Sequence, residues 1–350
     1  DNPATLGALG VPGKLLGGFF ASVTPRSAVF STFDYGQADV ETLLVTDALL
    51  FIGGGSASTA GGVKVGTVVL LMLVVWSETR GRDPGAEGEH SGLGSLGRHF
   101  GGPRRLGDSL STNPARLLAV GFLTAIAIGT LVLMLPAASQ ADGSAPFLTA
   151  LFTSTSAVCV TGLIVVDTPE YWSVFGQVAL LVLFQVGGFG ILTGTSLAFL
   201  ALTRKIGFRG RLMASAERQQ QDAGQLKRVL AVAMVVTVVV EAAAWVSITV
   251  TLLRDGYSVG SAVWRGLFHA VSAFNGAGFA LWSDSVAGFA TDGQMLMTIA
   301  IATIIGGIGV PVWIDARRER LHWTKYSLHT KLTLSGTIVL LAAGFVALTI

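Results

Sequence analysis

Residues 174–202 form a run of 29 positions without a single charged side chain. A helix needs about 20 mostly apolar residues to cross a bilayer, and this run exceeds that length. Residues 117–135, 295–314 and 333–350 are also uncharged, and 229–253 carries only Glu241. A further apolar run, 43–76, is interrupted by glycines at 53–62. A soluble protein holding such segments as a buried core would surround them with amphipathic helices, and almost none is found. Composition agrees: 51% of the 350 residues are apolar and only 13% charged, against about 25% charged in an ordinary soluble domain. The reading is an all-α integral membrane protein. Forty-five glycines without a three-residue period exclude collagen, and the lone Cys159 excludes an internal disulfide. The chain opens at Asp1 without a signal-peptide pattern, which reads as a fragment or processed product.

Positive charge sets orientation. Arginine and lysine gather in 203–228, in 315–331 and in 80–116. These stretches are expected on the cytoplasmic side. Residues 136–149 and 282–294 lack positive charge, and acids such as Asp142, Asp167, Glu170, Asp284 and Asp292 mark the opposite side. That outer face would attract cations weakly, although any one of these acids reads more readily as part of a solvated loop.

Three short stretches between the long runs resemble one another: ALFTSTSAVCVTGL from Ala150, GLFHAVSAFNGAGFAL from Gly266 and GFFASVTPRSAVFST from Gly18. Each has Phe third (Phe152, Phe268, Phe20) and a hydroxyl four residues later (Ser156, Ser272, Thr24). The first two reach a glycine ten residues after the Phe, at Gly162 and Gly278. Each is too short to span as a helix. A half-helix with a return loop, set between full spans, is the pattern of a re-entrant pore unit. Irregular backbone survives at membrane depth only where it is buried or lines a cavity, and there its carbonyls can receive a dehydrated cation. The plainer alternative is three interfacial helices ending in C-cap glycines. A second feature is FIGGGSASTAGGVKVG. The five glycines between 53 and 62 disfavour a continuous helix by about 1 kcal/mol each. The run reads as two half-helices around a loop suited to a gate, or as an extramembrane connection. Lys64 fits either as a snorkelling side chain or as a barrier near an ion path.

These motifs resemble the membrane subunit of the Trk/Ktr/HKT superfamily of potassium transporters, most closely its Ktr-like bacterial members. The stretch from Ala150 through GGFGIL is similar to that family's first pore unit, FHAVSAFNGAGFAL to its second, and SVTPRSAVFST to its third filter. FIGGGSASTAGGVKV resembles the intramembrane gating loop of the third unit. The resemblance implies helix–pore loop–helix units with four-fold pseudo-symmetry around a central path, conducting K+ with modest preference over Na+. It implies filter positions at Cys159, Val160, Thr161 and Gly162, at Asn275, Gly276, Ala277 and Gly278, and at Ser27, Ala28, Val29 and Phe30. It implies a gating loop at Gly53, Gly54, Gly55, Ser56, Ser58, Thr59, Gly61, Gly62 and Lys64. It further implies a homodimer in the bacterial cytoplasmic membrane, with pore loops facing out. A ring of cytoplasmic nucleotide-binding regulatory subunits would sit beneath it. No covalent cofactor and no nucleic-acid partner are expected, nucleotide acting only through the regulatory partner.

The order of the parts departs from the family. Residues 1–80 match the second part of unit three, 113–205 unit one, 206–320 unit two and 321–350 the first helix of unit three. The charged, Gly-rich stretch 81–112 reads as a linker or natural N-terminal tail. The chain is therefore expected to be a circular permutant or an out-of-order assembly, and no fourth unit is found. Val29 and Ser31 replace the family's usual glycine and asparagine. Valine is strained at positive φ, which predicts relaxed K+/Na+ discrimination.

Other residues have narrower readings. Cys159 is expected to offer its carbonyl rather than its thiol. Glu241, an acid within a span, reads equally as functional or as a bond between helices. His269 reads as a packed or capping residue, Arg26 as a loop anchor, and His322 and His329 lack metal-site spacing. GGFG at Gly187 reads as close helix packing, not as a dinucleotide loop. No nucleotide-binding loop, triad or metal cluster is found, so the chain is not read as an enzyme. The alternatives are a secondary transporter of another small solute or Na+ built on broken helices, and a non-conducting remnant.

Overall fold

The computed structural model describes residues 9–24, 30–32, 46, 49, 58, 114–140, 143–205, 215–319 and 322–349. Among them there is no strand, only an isolated bridge between Ser139 and Trp172. The helices are α1 (Val11–Val23), α2 (Pro114–Leu133), α3 (Phe147–Val158), α4 (Thr168–Tyr171), α5 (Val174–Lys205), α6 (Ser215–Arg254), α7 (Val259–Asn275), α8 (Gly293–Ile308), α9 (Val310–Glu319) and α10 (Leu328–Thr349).

Local chemistry sets their ends. α2 opens on Pro114, whose fixed φ suits a first turn and whose missing N–H is not needed there. The carboxylate of Asp292 accepts from Met295 N at 2.9 Å and caps α8. α7 stops at Asn275 because Gly276 takes the left-handed conformation. The uncharged run 295–314, expected as one span, is instead broken. α8 ends at Ile308, Gly309 has φ +95°, and α9 leaves at 89°. The cause is local: Gly309 supplies a dihedral closed to other residues, and Pro311 has no N–H to continue the ladder.

Among the described residues, Leu230–Arg254 and Leu328–Leu348 are each long and apolar enough to cross a membrane. Their flanks expose Val235, Val238, Val239, Ile338, Val339 and Val346. Such faces would be a liability in water and are ordinary against lipid.

The helices pack in groups. α2, α3 and α5 pack together, with Ser154 Oγ donating to Ile126 O at 2.9 Å. α6, α7 and α8 form a second group. Trp245 Nε1 donates to Val263 O at 3.0 Å, and Thr303 Oγ1 to Ala273 O at 3.1 Å. α1 lies against α10 and α8. One apolar cluster joins the first group to the second through Trp172, Leu180, Phe184, Phe268 and Phe279. Another joins the second to α1 through Phe20, Phe30, Ile248, Leu252 and Met295. The short helices α1, α3 and α7 thus end inside protein rather than at a surface, with Val23, Val158 and Asn275 all buried.

Candidate functional site

The loops that follow α3 and α7 have the same backbone. After α3, Val160 N donates to Ala157 O at 3.2 Å and Thr161 N to Ser156 O at 2.9 Å. After α7, Gly276 N donates to Ala273 O at 3.2 Å and Ala277 N to Ser272 O at 2.8 Å. Left-handed residues recur at alternate positions in both: Val160 (φ 56°) and Gly162 (76°), then Gly276 (75°) and Gly278 (73°). Thr161 and Ala277 between them keep negative φ. Val160 is the costly member, because a β-branched residue is a true outlier there. Its strain was not legible as such, since the sequence offers valine where the second loop has glycine.

The two loops run against each other. A Cβ built on Gly162 would stand 2.6 Å from Ala277 O and 3.3 Å from Gly278 Cα. α5 backs both of them. A side chain at Gly187 would strike the carbonyl of Val158, and one at Gly188 the side chain of Asn275. The GGFG motif is therefore a close-approach surface, as the sequence indicates.

The return of the second loop is fastened to α7. Ser272 Oγ donates to Phe279 O at 2.9 Å, and Leu281 N donates to His269 Nε2 at 3.1 Å. His269 Nδ1 lies 2.7 Å from Arg265 O. With Nε2 accepting, the proton sits on Nδ1 and is donated to that carbonyl. The ring is fully buried and stacks on Trp282 at 4.1 Å. Its role is packing and fastening.

Of the third stretch, Phe30 is buried, 6.2 Å from the His269 ring. Ser31 N donates to Ser285 Oγ at 3.2 Å, and Val286 N to Ser31 O at 3.1 Å. Segment 276–286 therefore meets the first loop at one end and the third stretch at the other. Ser27, Ala28 and Val29 lie outside the described residues. So do Gly53, Gly54, Gly55, Ser56, Thr59, Gly61, Gly62 and Lys64; Ser58 is buried.

Cys159 is exposed at the end of α3, whereas Asn275, its counterpart on α7, is 1% exposed. The Asn275 side chain turns back toward α5 and α6, donating to Gln185 Oε1 at 2.7 Å and Glu241 Oε1 at 3.1 Å. Glu241 therefore does join helices. Gln185 was missed; an amide inside an uncharged run was the available signal.

The repeated phenylalanines also differ in setting. Phe268 meets Phe184 of α5 edge-on at 5.4 Å, and Phe20 packs into the cluster around α8. Phe152 is 41% exposed beside an open groove lined by Leu148, Leu151, Thr155 and Val165. Away from the loops, Asp315 of α9 accepts from Ser327 Oγ at 2.6 Å and from Thr330 Oγ1. Partial burial works against its ionisation, but these hydrogen bonds and nearby Arg318 outweigh it and hold the carboxyl below its ordinary range. Among the described residues no three His, Cys, Asp or Glu side chains gather to hold a metal ion.

Residues 111–350 match the family model of TrkH, described as a cation transport protein. The Ktr system potassium uptake protein B of Bacillus subtilis is 38% identical over 227 residues, covering 65% of this chain and 50% of the relative. The potassium/sodium uptake protein NtpJ of Enterococcus hirae is 34% identical over 235 residues, covering 67% and 51%. The Ktr system potassium uptake protein B of Vibrio alginolyticus is 33% identical over 244 residues, covering 68% and 52%. The chain spans about half the length of these curated relatives.

Proposed function

The chain belongs to the TrkH cation transport protein family, and on that premise we propose that it lines a potassium-conducting path through the membrane. The observation that carries this reading is the shared backbone of the two loops. Left-handed residues at alternate positions break the helical ladder and release the loop carbonyls from it. Here the amides of Val160, Thr161, Gly276 and Ala277 are bonded back to α3 and α7. The carbonyls of both loops then turn to the opposite side, as a filter that replaces an ion's water requires. The filter comprises Cys159–Gly162, Asn275–Gly278 and Ser27–Phe30, and the ion is selected by backbone oxygen rather than by charge.

The packing of α1 on α10 supports reading 321–350 and 1–80 as parts of one unit, in an order that differs from the family's. Phe268 and Phe20 each pack against the preceding unit, and the same rule leaves the groove at Phe152 for a fourth unit. That wall comes from outside the described residues. The Gly-rich stretch 53–62 serves as the gate. A homodimer on a cytoplasmic nucleotide-binding ring biases it, a reading in keeping with relatives named as members of a Ktr system. Discrimination against Na+ is modest, in keeping with Val29 and with a relative whose name covers both ions.

The test is cation flux by the intact protein in proteoliposomes. Saturable K+ entry down its gradient, exceeding Na+ entry and altered by Gly278→Ala, is the expected result. Absence of flux of either ion, or a K+/Na+ ratio untouched by Gly278→Ala, would overturn it.

A further inference from the structure

Asn275 ends α7, one residue before the first left-handed position of the second loop. Its side-chain nitrogen carries two hydrogens and meets three acceptors: Gln185 Oε1 at 2.7 Å, Val271 O at 2.9 Å and Glu241 Oε1 at 3.1 Å. Gln185 Nε2 reaches the other oxygen of Glu241 at 3.5 Å and closes a ring across α5, α6 and α7. Gly188 leaves the room that the Asn275 side-chain oxygen fills. The first loop has no counterpart, since Cys159 at the same position is exposed.

We propose that Glu241 and Gln185 are positioning residues for the second loop, holding the Asn275 side chain so that the backbone from Asn275 to Gly278 presents its carbonyls at a fixed place and angle. The proposal rests on reading that loop as a filter. An acid near the middle of the apolar segment Leu230–Arg254 is costly at membrane depth. Joining two helices does not demand it: a serine or threonine pair does so, as Ser247 and Thr298 do at 2.8 Å between α6 and α8. Glu241 is instead directed at the residue from which the loop departs. Neither oxygen of its carboxylate is spent on a helix backbone. One takes the Asn275 amide and the other that of Gln185. Rotation of Asn275 about its side-chain bonds is thereby blocked from two sides. The next residue, Gly276, has no side chain of its own to resist a change in φ. Loss of the ring would let the loop turn at that glycine, altering ion preference before it altered the packing of α6 on α7.

The experiment compares Asn275→Asp, Glu241→Ala and the double variant Asn275→Asp/Glu241→Gln in the intact protein. Each is expressed in a bacterial strain lacking its own potassium uptake systems. Uptake of Rb+ and Na+ is measured and normalised to membrane-inserted protein. Asn275→Asp faces Glu241 with a second carboxylate, so the Rb+/Na+ ratio is expected to fall roughly tenfold or more. Glu241→Ala is expected to lower it as well. In the double variant the amide introduced at position 241 donates to the carboxylate introduced at position 275, and the Gln185 amide, turned over, donates to it and accepts from position 241. Only the contact with Val271 O stays unmade, so the ratio returns in part. A double variant no better than Asn275→Asp, or a Glu241→Ala protein with reduced uptake but an unchanged ratio, would overturn the proposal. Gly278→Ala separates this from the filter reading. If it leaves the ratio unchanged, the filter reading fails. If it shifts the ratio while the Asn275–Glu241 rescue is absent, only the positioning role fails.

Discussion

Gly162→Ala probes the place where two loops touch. The substitution has two costs that the structure separates. The first is conformational: Gly162 has φ +76°, and a left-handed backbone costs an ordinary residue about 1–2 kcal/mol. The second is steric. The new Cβ would lie 2.6 Å from Ala277 O, where ordinary contact begins near 3.4 Å. The two loops must therefore part by about 0.8 Å, and overpacking of this kind costs about 1–3 kcal/mol. Gly256→Ala supplies the control. Gly256 has φ +86° but nothing within 4 Å of its built Cβ, so it bears the first cost without the second. Both variants are expected to lower the melting temperature of the detergent-solubilised protein by a few degrees. Only Gly162→Ala is expected to change ion preference, with Rb+ uptake relative to Na+ falling about tenfold for each 1.4 kcal/mol directed at the loop carbonyls. The assay is competitive uptake in proteoliposomes. A Gly162→Ala protein that inserts normally and keeps its ratio within about twofold would refute the argument that the loops face a shared ion path. So would equal effects from both variants.

Other outcomes follow from contacts near the loops. Gly187→Ala drives a methyl group into the Val158 carbonyl; it is expected to destabilise the protein by about 1–3 kcal/mol and to reduce uptake, checked by thermal unfolding and flux. His269→Ala removes the acceptor for Leu281 N in a fully buried site, while Arg265 O keeps its partner within α7. One unsatisfied backbone N–H costs about 1–3 kcal/mol, read as a lower melting temperature. Asp315→Asn tests the fastening of α9 to α10. The native carboxyl is held below its ordinary range, so its contribution is fully present above that range and is lost as pH falls through the depressed value. The melting-temperature gap between wild type and variant is expected to be widest near neutral pH and to close in acid; a gap that widens in acid would contradict the assignment.

Much of the chain's organisation was readable before its coordinates. The apolar runs at 174–202 and 229–253 and the described part of 333–350 lie within α5, α6 and α10, because a helix satisfies all its backbone groups within one segment in a bilayer. The repeat anchored on Phe152 and Phe268 marked two short helices, and Gly162, Gly276 and Gly278 marked loops that take up left-handed positions. Residues 295–314 were read as one uninterrupted span, and the 89° bend within them was not foreseen. Hydropathy sums over a window, whereas the break there depends on the dihedral of one glycine and the missing donor of one proline.

What the sequence by itself determined is the solvent, the helices and the places where helices stop, all of which depend on residues near in the chain. Only the tertiary structure decided which loop lies against which, that Gln185 and Glu241 converge on Asn275, that His269 fastens a loop, and that Val160 carries strain its side chain disfavours. Gln185 and Asn275 are 90 positions apart, and Gly162 and Ala277 are farther apart still. Hydropathy and spacing describe each partner alone, and a hydrogen bond is a property of the pair.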